Sequence, residues 1–281
     1  MRIAGIQTGA SHDVDRNITH AVELAEIAAE KGAKSICFSE LCLTPWFLRH
    51  EDKKYLELAR ERSSGILDPF LASSLKTKTV IVLPFFERYD GRFFSSAAVM
   101  DCGVLKGVYR KVHIPDLPLY KERFYLSSGD GDFPVFETSH GRIGVQLCWD
   151  NLFPEGTRIL ALKGADLVFA PTAASQDTHA HWERAISANA FANNLTVFRV
   201  NRVGTEDGLV FYGRSFCAGP WGDMVSELAG SKEAIVMAEV DPRERDTARE
   251  TWGFLNHRQP SAYRDIINDR PGPGASREQK N

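Results

Sequence analysis

Nearly unbroken hydrophobic runs recur along this chain, separated by stretches in which apolar positions return every third or fourth residue. The first kind covers 2–8 (RIAGIQT), 34–40 (KSICFSE), 79–87 (TVIVLPFFE), 92–101 (RFFSSAAVMD) and 103–113 (GVLKGVYRKVH). It continues at 133–138 (FPVFET), 142–148 (RIGVQLC), 165–172 (ADLVFAPT), 195–202 (LTVFRVNR), 209–219 (LVFYGRSFCAG) and 233–241 (EAIVMAEVD). Short runs that are apolar almost throughout predict strands covered on both faces. The second kind predicts amphipathic helices. In 15–31, Ile18, Val22, Ala25 and Ala29 share a face, and Gly32 follows as a stop signal. Segments 52–61, 154–163 and 178–193 read the same way.

Turn signals separate the strands: DG at 90–91, CG at 102–103, HG at 140–141 and PWGD at 220–223. Strands alternating with helices predict a layered α/β fold. The spans 79–101 and 92–113 are short enough to be hairpins, so the sheet is expected to be mixed. No linker, repeat or low-complexity tract interrupts 1–265, which reads as one domain. The end of the chain, NDRPGPGASREQKN, is polar and rich in Gly and Pro, and predicts a mobile tail over 266–281.

Composition narrows the class. With 281 residues, 43% hydrophobic and 25% charged, the chain can build a large globular core. The net charge of −3 comes without a basic stripe, which argues against nucleic acid as a partner. The N-terminus opens directly on a strand pattern, with no secretory signal visible. No apolar run reaches the ~18 residues of a membrane span. The five cysteines, Cys37, Cys42, Cys102, Cys148 and Cys217, show no zinc spacing. They read as reduced thiols of a cytoplasmic protein.

Three polar residues close apolar strands. Cys148 ends RIGVQLC just before a turn and a helix that opens at Pro154-Glu155; there the positive end of the helix dipole is expected to favour the thiolate. Glu40 ends SICFSE, and Lys111 sits where VYRKVHIP leaves its strand. Singly, each has an ordinary structural explanation: a buried thiol, an edge acid, a solvated lysine. Together they supply a nucleophile, a base and a fixed cation at strand ends, where α/β sheets bind ligands.

The segments FSELCLTPW around Glu40, YRKVHIP around Lys111 and GVQLCWDNLFPEGTR around Cys148 resemble the nitrilase superfamily of carbon–nitrogen hydrolases. The likeness continues through GADLVFAPTA (164–173), HWERAISANAFANN (181–194), NRVG (201–204), FYGRSF (211–216), GPWGD (219–223) and RETWGFLNHRQP (249–260). The resemblance implies a four-layer αββα sandwich, two mixed sheets between helix layers, with a Glu-Lys-Cys triad at the sheet edges. It also implies a homodimer or larger homo-oligomer, and a second catalytic glutamate after the lysine, which falls on Glu122 in LPLYKERFYLSSGD. From its residues alone Glu122 reads as a loop acid paired with Arg123.

The implied chemistry is hydrolysis of a small amide, N-carbamoyl amine or nitrile through a thioester on Cys148, with no cofactor. Glu40 serves as general base; Lys111 and a backbone N–H near Trp149 hold the oxyanion. No metal is expected. His179 and His181 stand at i and i+2, which do not share a helical face, although Asp177 and Glu183 lie nearby. For the substrate, CWD…FPE with YRKVHIPD and YKERFY is most similar to the N-carbamoylputrescine amidase branch. That points to a cationic tail met by Asp150 or Asp177, in a pocket that also includes Trp149, Tyr120 and Trp46. Asn151-Leu152 and the DLPLY loop depart from that branch. Alternatives are a nitrilase or ω-amidase acting on a small nitrile or amide acid, and a non-catalytic interaction protein of the same fold.

Overall fold

The computed structural model describes residues 1–267 apart from 176. Period-two alternation sets its layer order. In β1 (Arg2–Gln7), Ile3 faces one apolar cluster, while Ala4 and Ile6 face another. In β2 (Ser35–Phe38), Cys37 joins the first cluster, while Ile36 and Phe38 join the second. Val80 and Val82 of β3 (Val80–Tyr89) alternate with Ile81 and Leu83 in the same sense. A sheet apolar on both faces must be covered on both, and this one is.

On one face lie α1 (Val14–Glu30) and α2 (Asp68–Thr77), which bring Ala21, Ala25, Ala28 and Phe70 onto Ile36, Phe38 and Ile81. The sheet is completed by β4 (Arg92–Asp101), β5 (Val104–Arg110) and β13 (Ala234–Glu239), in the order β13-β1-β2-β3-β4-β5. Its centre, β1-β2-β3, is parallel; the other pairings are antiparallel. Between β5 and the second sheet lies the single turn α3 (Glu122–Tyr125).

The second sheet contains β6 (Val135–Thr138), β7 (Gly141–Val145), β8 (Leu167–Thr172), β9 (Thr196–Asn201) and β12 (Phe216–Ala218), ordered β12-β9-β8-β7-β6. Again the centre is parallel and the edges are antiparallel. The helices α4 (Pro154–Leu162) and α5 (His179–Asn193) add Leu160, Ala161, Ile186 and Ala190 to its core. A separate hairpin pairs β10 (Val203–Glu206) with β11 (Leu209–Tyr212), and α6 (Pro242–Trp252) follows β13. The result is the four-layer αββα sandwich that the nitrilase-superfamily resemblance implies.

Some expectations change. The helix expected at 52–61 is instead a pair of 3-10 turns, Lys53–Leu58 and Arg62–Ser64, because neither has a buried face to hold a longer helix. The run 209–219 breaks at Gly213 and Arg214, both at positive φ, into β11 and β12. The strand expected at 142–148 ends at Val145, three residues short of Cys148. Of the expected tail, Ile266 and Ile267 end a 3-10 turn that begins at Pro260, and 268–281 lie outside the described residues. Among the described residues, no helix is long and apolar enough to cross a membrane.

Where the two sheets meet, Gly5 is required. A Cβ there would stand 2.8 Å from both Phe198 Cε2 and Val200 Cγ2. Overpacking of this kind costs about 1–3 kcal/mol. Gly5→Val is expected to lower the unfolding free energy by that amount in urea titration; unchanged stability would show that the sheets separate locally without cost.

Candidate active site

The site is assembled from turns at the ends of strands of both sheets. Two residues after β2, Glu40 donates its N–H to the carbonyl of Thr172 at the end of β8 (3.3 Å). Lys111 directly follows β5, and its N–H donates to Ser95 O on β4 at 2.9 Å. Glu122 opens α3. Cys148 opens a 3-10 turn, Cys148–Leu152, at φ 42. A non-glycine residue in that region is uncommon and costs about 1–3 kcal/mol, so something must hold it. Asn151 does: its Nδ2 donates to Cys148 O at 3.0 Å and to Gln146 O at 2.9 Å. The turn is tied further by Thr157 Oγ1 to Gln146 Oε1 (2.6 Å) and by Asn189 Nδ2 to Asn151 O (2.8 Å).

The turn after Glu40 is built alike. Leu41 has φ 51. Its carbonyl accepts Nη1 of the buried Arg202 at 3.0 Å, while Arg202 Nη2 donates to Thr44 O at 2.6 Å. Arg202 is itself paired with Glu206 at 2.5 Å. Asn151 was legible in the sequence only as a departure within WDNLF, and Arg202 only as part of NRVG. Their bracing roles follow from long-range contacts that spacing does not encode.

At the centre, the Lys111 ammonium bridges two carboxylates: Nζ lies 3.0 Å from Glu40 Oε1 and 2.6 Å from Glu122 Oε2. Ser95 Oγ adds a 3.0 Å hydrogen bond to Glu40 Oε1. Glu40, Lys111 and Glu122 are each 0% exposed. The remaining oxygens, Glu40 Oε2 and Glu122 Oε1, are buried without a hydrogen-bond partner among the described residues. Burial works against the charge on Lys111, but Glu122 and Glu40 outweigh it and hold the ammonium well above its ordinary range. Burial pushes the Glu122 carboxyl up to about 8; Lys111 opposes that rise and Glu40 adds to it. Glu122 is therefore an ion-cluster member, not the partner of Arg123, which donates to Ile114 O instead.

The Cys148 thiol is raised well above its usual value, chiefly by burial and then by Glu40, and Lys111 offsets only part of this. The thiolate favoured by a helix dipole is thus not what the structure gives. The α4 helix starts only after the intervening 3-10 turn, and desolvation next to two carboxylates dominates.

Cys148 opens on a cavity of about 410 Å³ lined by Pro115, Leu117, Pro118, Tyr120, Glu122, Trp149, Ala173, Ala174, Ser175, Thr178 and Trp182. Two of the expected pocket residues, Tyr120 and Trp149, are in this wall. Tyr120 is pinned by Ser175, whose N–H donates to Tyr120 Oη at 2.9 Å. Trp46 lies outside the wall, packed edge-on to Tyr120 at 5.4 Å between ring centroids. Asp150 does not face the cavity. Its buried carboxylate accepts from Tyr109 Oη, from the His113 N–H at 2.9 Å and meets His113 Nδ1 at 2.8 Å, so it anchors the β5 exit to the nucleophile turn. Asp177 is 93% exposed in its side chain and pairs with His179 at 2.9 Å. Asp150 is therefore not placed to receive a cationic tail, and Asp177 is not part of the cavity wall, although its neighbour Thr178 is. Glu183 is taken by Arg214 at 2.6 Å. Trp182, Ser175 and Thr178 complete the wall, though sequence reasoning did not single them out.

The family model described as carbon-nitrogen hydrolase matches residues 2–250. The chain belongs to the carbon–nitrogen hydrolase family. Within this nitrilase superfamily it is 34% identical to an N-carbamoylputrescine amidase of Solanum tuberosum, over 94% of each chain. It is also 34% identical to a citrullinase of Francisella tularensis, over 95% of this chain and 98% of that one. The crystal structure of a carbon–nitrogen hydrolase from Helicobacter pylori G27 superposes with a TM-score of 0.90 at 32% identity, covering 96% of this chain and 99% of that one.

Glu122 gives a pH test. Its folded value near 8 lies above the ordinary 4.5, so the folded state binds this proton more tightly. The resulting stabilisation is complete below about pH 4.5 and is lost as pH rises to about 8. Urea unfolding of the Glu122→Gln variant is expected to show a smaller loss of stability between pH 5 and 8.5 than the parent. Equal losses would mean that Glu122 is ionised throughout.

Proposed function

We propose that this chain is a cysteine-dependent amidohydrolase that cleaves a non-peptide C–N bond of a small linear amide or ureido compound through a Cys148 thioester. The observation that carries this reading is the buried Lys111 ammonium shared by Glu40 and Glu122 beside a cavity-facing thiol. A fold-only interaction protein has no use for three buried ionisable groups, each costly to desolvate. N-carbamoylputrescine and citrulline both contain a terminal ureido group, so the names of the relatives favour monosubstituted ureas as the substrate class. The same reading includes a cytoplasmic homodimer or larger homo-oligomer that needs no cofactor.

Glu40 takes the thiol proton as sulfur bonds to the carbonyl carbon, and the carbonyl π pair moves to oxygen. Lys111 and the Trp149 N–H meet the resulting oxyanion. The C–N bond breaks, and the leaving ammonia carries away the proton held on Glu40. Water then attacks the thioester while Glu40 accepts its proton. Breaking the C–S bond returns that proton to sulfur. Glu122, with one free oxygen at the cavity wall, orients the amino group of the substrate. With a ureido substrate the acid released is a carbamate, which loses carbon dioxide to give the amine.

Ammonia release from a panel of ureido compounds, linear amides and nitriles tests the proposal. Cys148→Ala is expected to abolish turnover, and Lys111→Met to lower kcat by about 10²–10³ or more, as loss of an oxyanion donor does. Parent-like turnover in Cys148→Ala would overturn the scheme.

A further inference from the structure

A further buried cation, besides Lys111 and Arg202, stands behind the cavity, and among the described residues no carboxylate hydrogen-bonds to it. Arg199, on β9, is fully buried. Its Nη2 donates to Tyr212 Oη at 3.0 Å and its Nη1 to Arg214 O at 3.3 Å; Nε has no partner among the described residues. The guanidinium carbon lies 5.0 Å from the Trp182 ring centroid and 5.5 Å from that of Tyr212. Trp182 is part of the cavity wall, in one apolar cluster with Cys148 and Ala174 against which Tyr212 packs. Burial pulls the guanidinium pKa down, but an arginine stays charged at neutral pH.

A guanidinium over an indole is attracted by the negative ring face, so the ring has less of that potential left to offer a second cation. A buried charge that no carboxylate among the described residues contacts, and that Glu183 offsets only in part, also acts further in protein of low dielectric than it would in water. Glu183 acts on it without contact but is shared with Arg214 at 2.6 Å, and other acids are engaged elsewhere: Asp177 by His179 at 2.9 Å, Asp116 by Lys121 at 3.4 Å. Asp150 is held by Tyr109 and His113, and Glu40 and Glu122 share Lys111.

We propose that Arg199 sets the charge preference of the part of the cavity bounded by Trp182, disfavouring a cationic substrate tail relative to a neutral or anionic one of equal length. This rests on the ureido and amide reading above for the identity of the substrate, but not for the electrostatics. It is the opposite of the preference that Asp150 and Asp177 suggest from their sequence positions.

The first arm of the test needs no substrate. Cys148 is modified with methanethiosulfonates carrying an ethylammonium or an ethylsulfonate group, and the adduct is mapped by peptide mass spectrometry. Each rate is divided by that reagent's rate with free 2-mercaptoethanol; the ratio of the two then cancels the thiolate fraction. The parent is expected to favour the sulfonate. Arg199→Met is expected to shift the ratio toward the ammonium by about tenfold, as removal of one partly screened charge does, and Arg199→Lys by less than about twofold. A parent that favours the ammonium overturns the proposal, even if Arg199→Met does not fold. So does an unchanged ratio in a folded Arg199→Met.

The second arm compares kcat/KM for butylurea, 4-aminobutylurea and 4-ureidobutanoate. The aminobutyl compound is expected to be the poorest in the parent and to gain about tenfold relative to butylurea in Arg199→Met. A shift in the first arm with no turnover in the second upholds the charge preference and rejects the ureido reading. Preferred turnover of 4-aminobutylurea by the parent rejects the charge preference and upholds the reaction.

Discussion

One ammonium holds the site together. Glu40 and Glu122 are buried with Lys111 between them, and two carboxylates this close would repel strongly without that cation. The balance is delicate: with both carboxylates ionised the cluster carries one net negative charge. Glu122, held up near 8 chiefly by burial, gains a proton around neutral pH and so relieves that excess charge. Glu40 holds the Ser95 hydrogen bond on one oxygen and has no partner on the other among the described residues; on the mechanism proposed, it is the carboxylate that receives the thiol proton. On that mechanism, the interaction that makes the cluster tolerable inside the protein also divides the roles of the two glutamates.

Lys111 and Glu40 come from turns that leave the first sheet, while Cys148 comes from a turn that leaves the second. Their meeting therefore depends on how closely the sheets pack, and Gly5 against Phe198 and Val200 is one place where that spacing leaves no room for a side chain. It depends equally on two strained turns. Leu41 and Cys148 both occupy positive φ, each at a cost of order 1–3 kcal/mol. Arg202 and Asn151 each supply a buried donor to the carbonyl of the strained residue. Arg202 also reaches Glu206 of the β10–β11 hairpin, which accepts the Trp46 N–H at 2.7 Å. The loop behind the cavity is thereby fastened to the turn that presents Glu40.

Much of this was legible in the sequence because it depends on local pattern. Near-continuous apolar runs marked most of the strands and the hairpins of the first sheet, the family resemblance supplied the two-sheet sandwich, and Glu40, Lys111 and Cys148 stood out as polar ends of those runs. What failed depended on partners distant in sequence. Asp150 looked like a pocket acid beside the nucleophile; in the fold, Tyr109 and His113 claim it from another sheet. The segment 52–61 had helical periodicity but nothing to pack on. The α6 segment was missed because it is polar, with only Ala248 buried. Arg199 sat inside an apolar strand pattern, where a single basic residue gives no sign that aromatic rings will cover it.

The protonation state of Cys148 links these points. A cysteine activated in advance needs a nearby positive field stronger than its desolvation, but here burial and Glu40 win over Lys111. On the mechanism proposed, the thiol gives up its proton only as the carbonyl oxygen becomes negative beside Lys111. Lys111 then no longer has to balance the Glu40 carboxylate, which has just become neutral. The cation freed by that proton transfer is the one the oxyanion needs, so the two charge movements support each other within a cluster whose net charge hardly changes. Such coupling favours the transition state over the ground state, which is the form of binding that raises kcat. It also leaves the resting thiol protonated, and so poorly reactive, until a substrate carbonyl is in place.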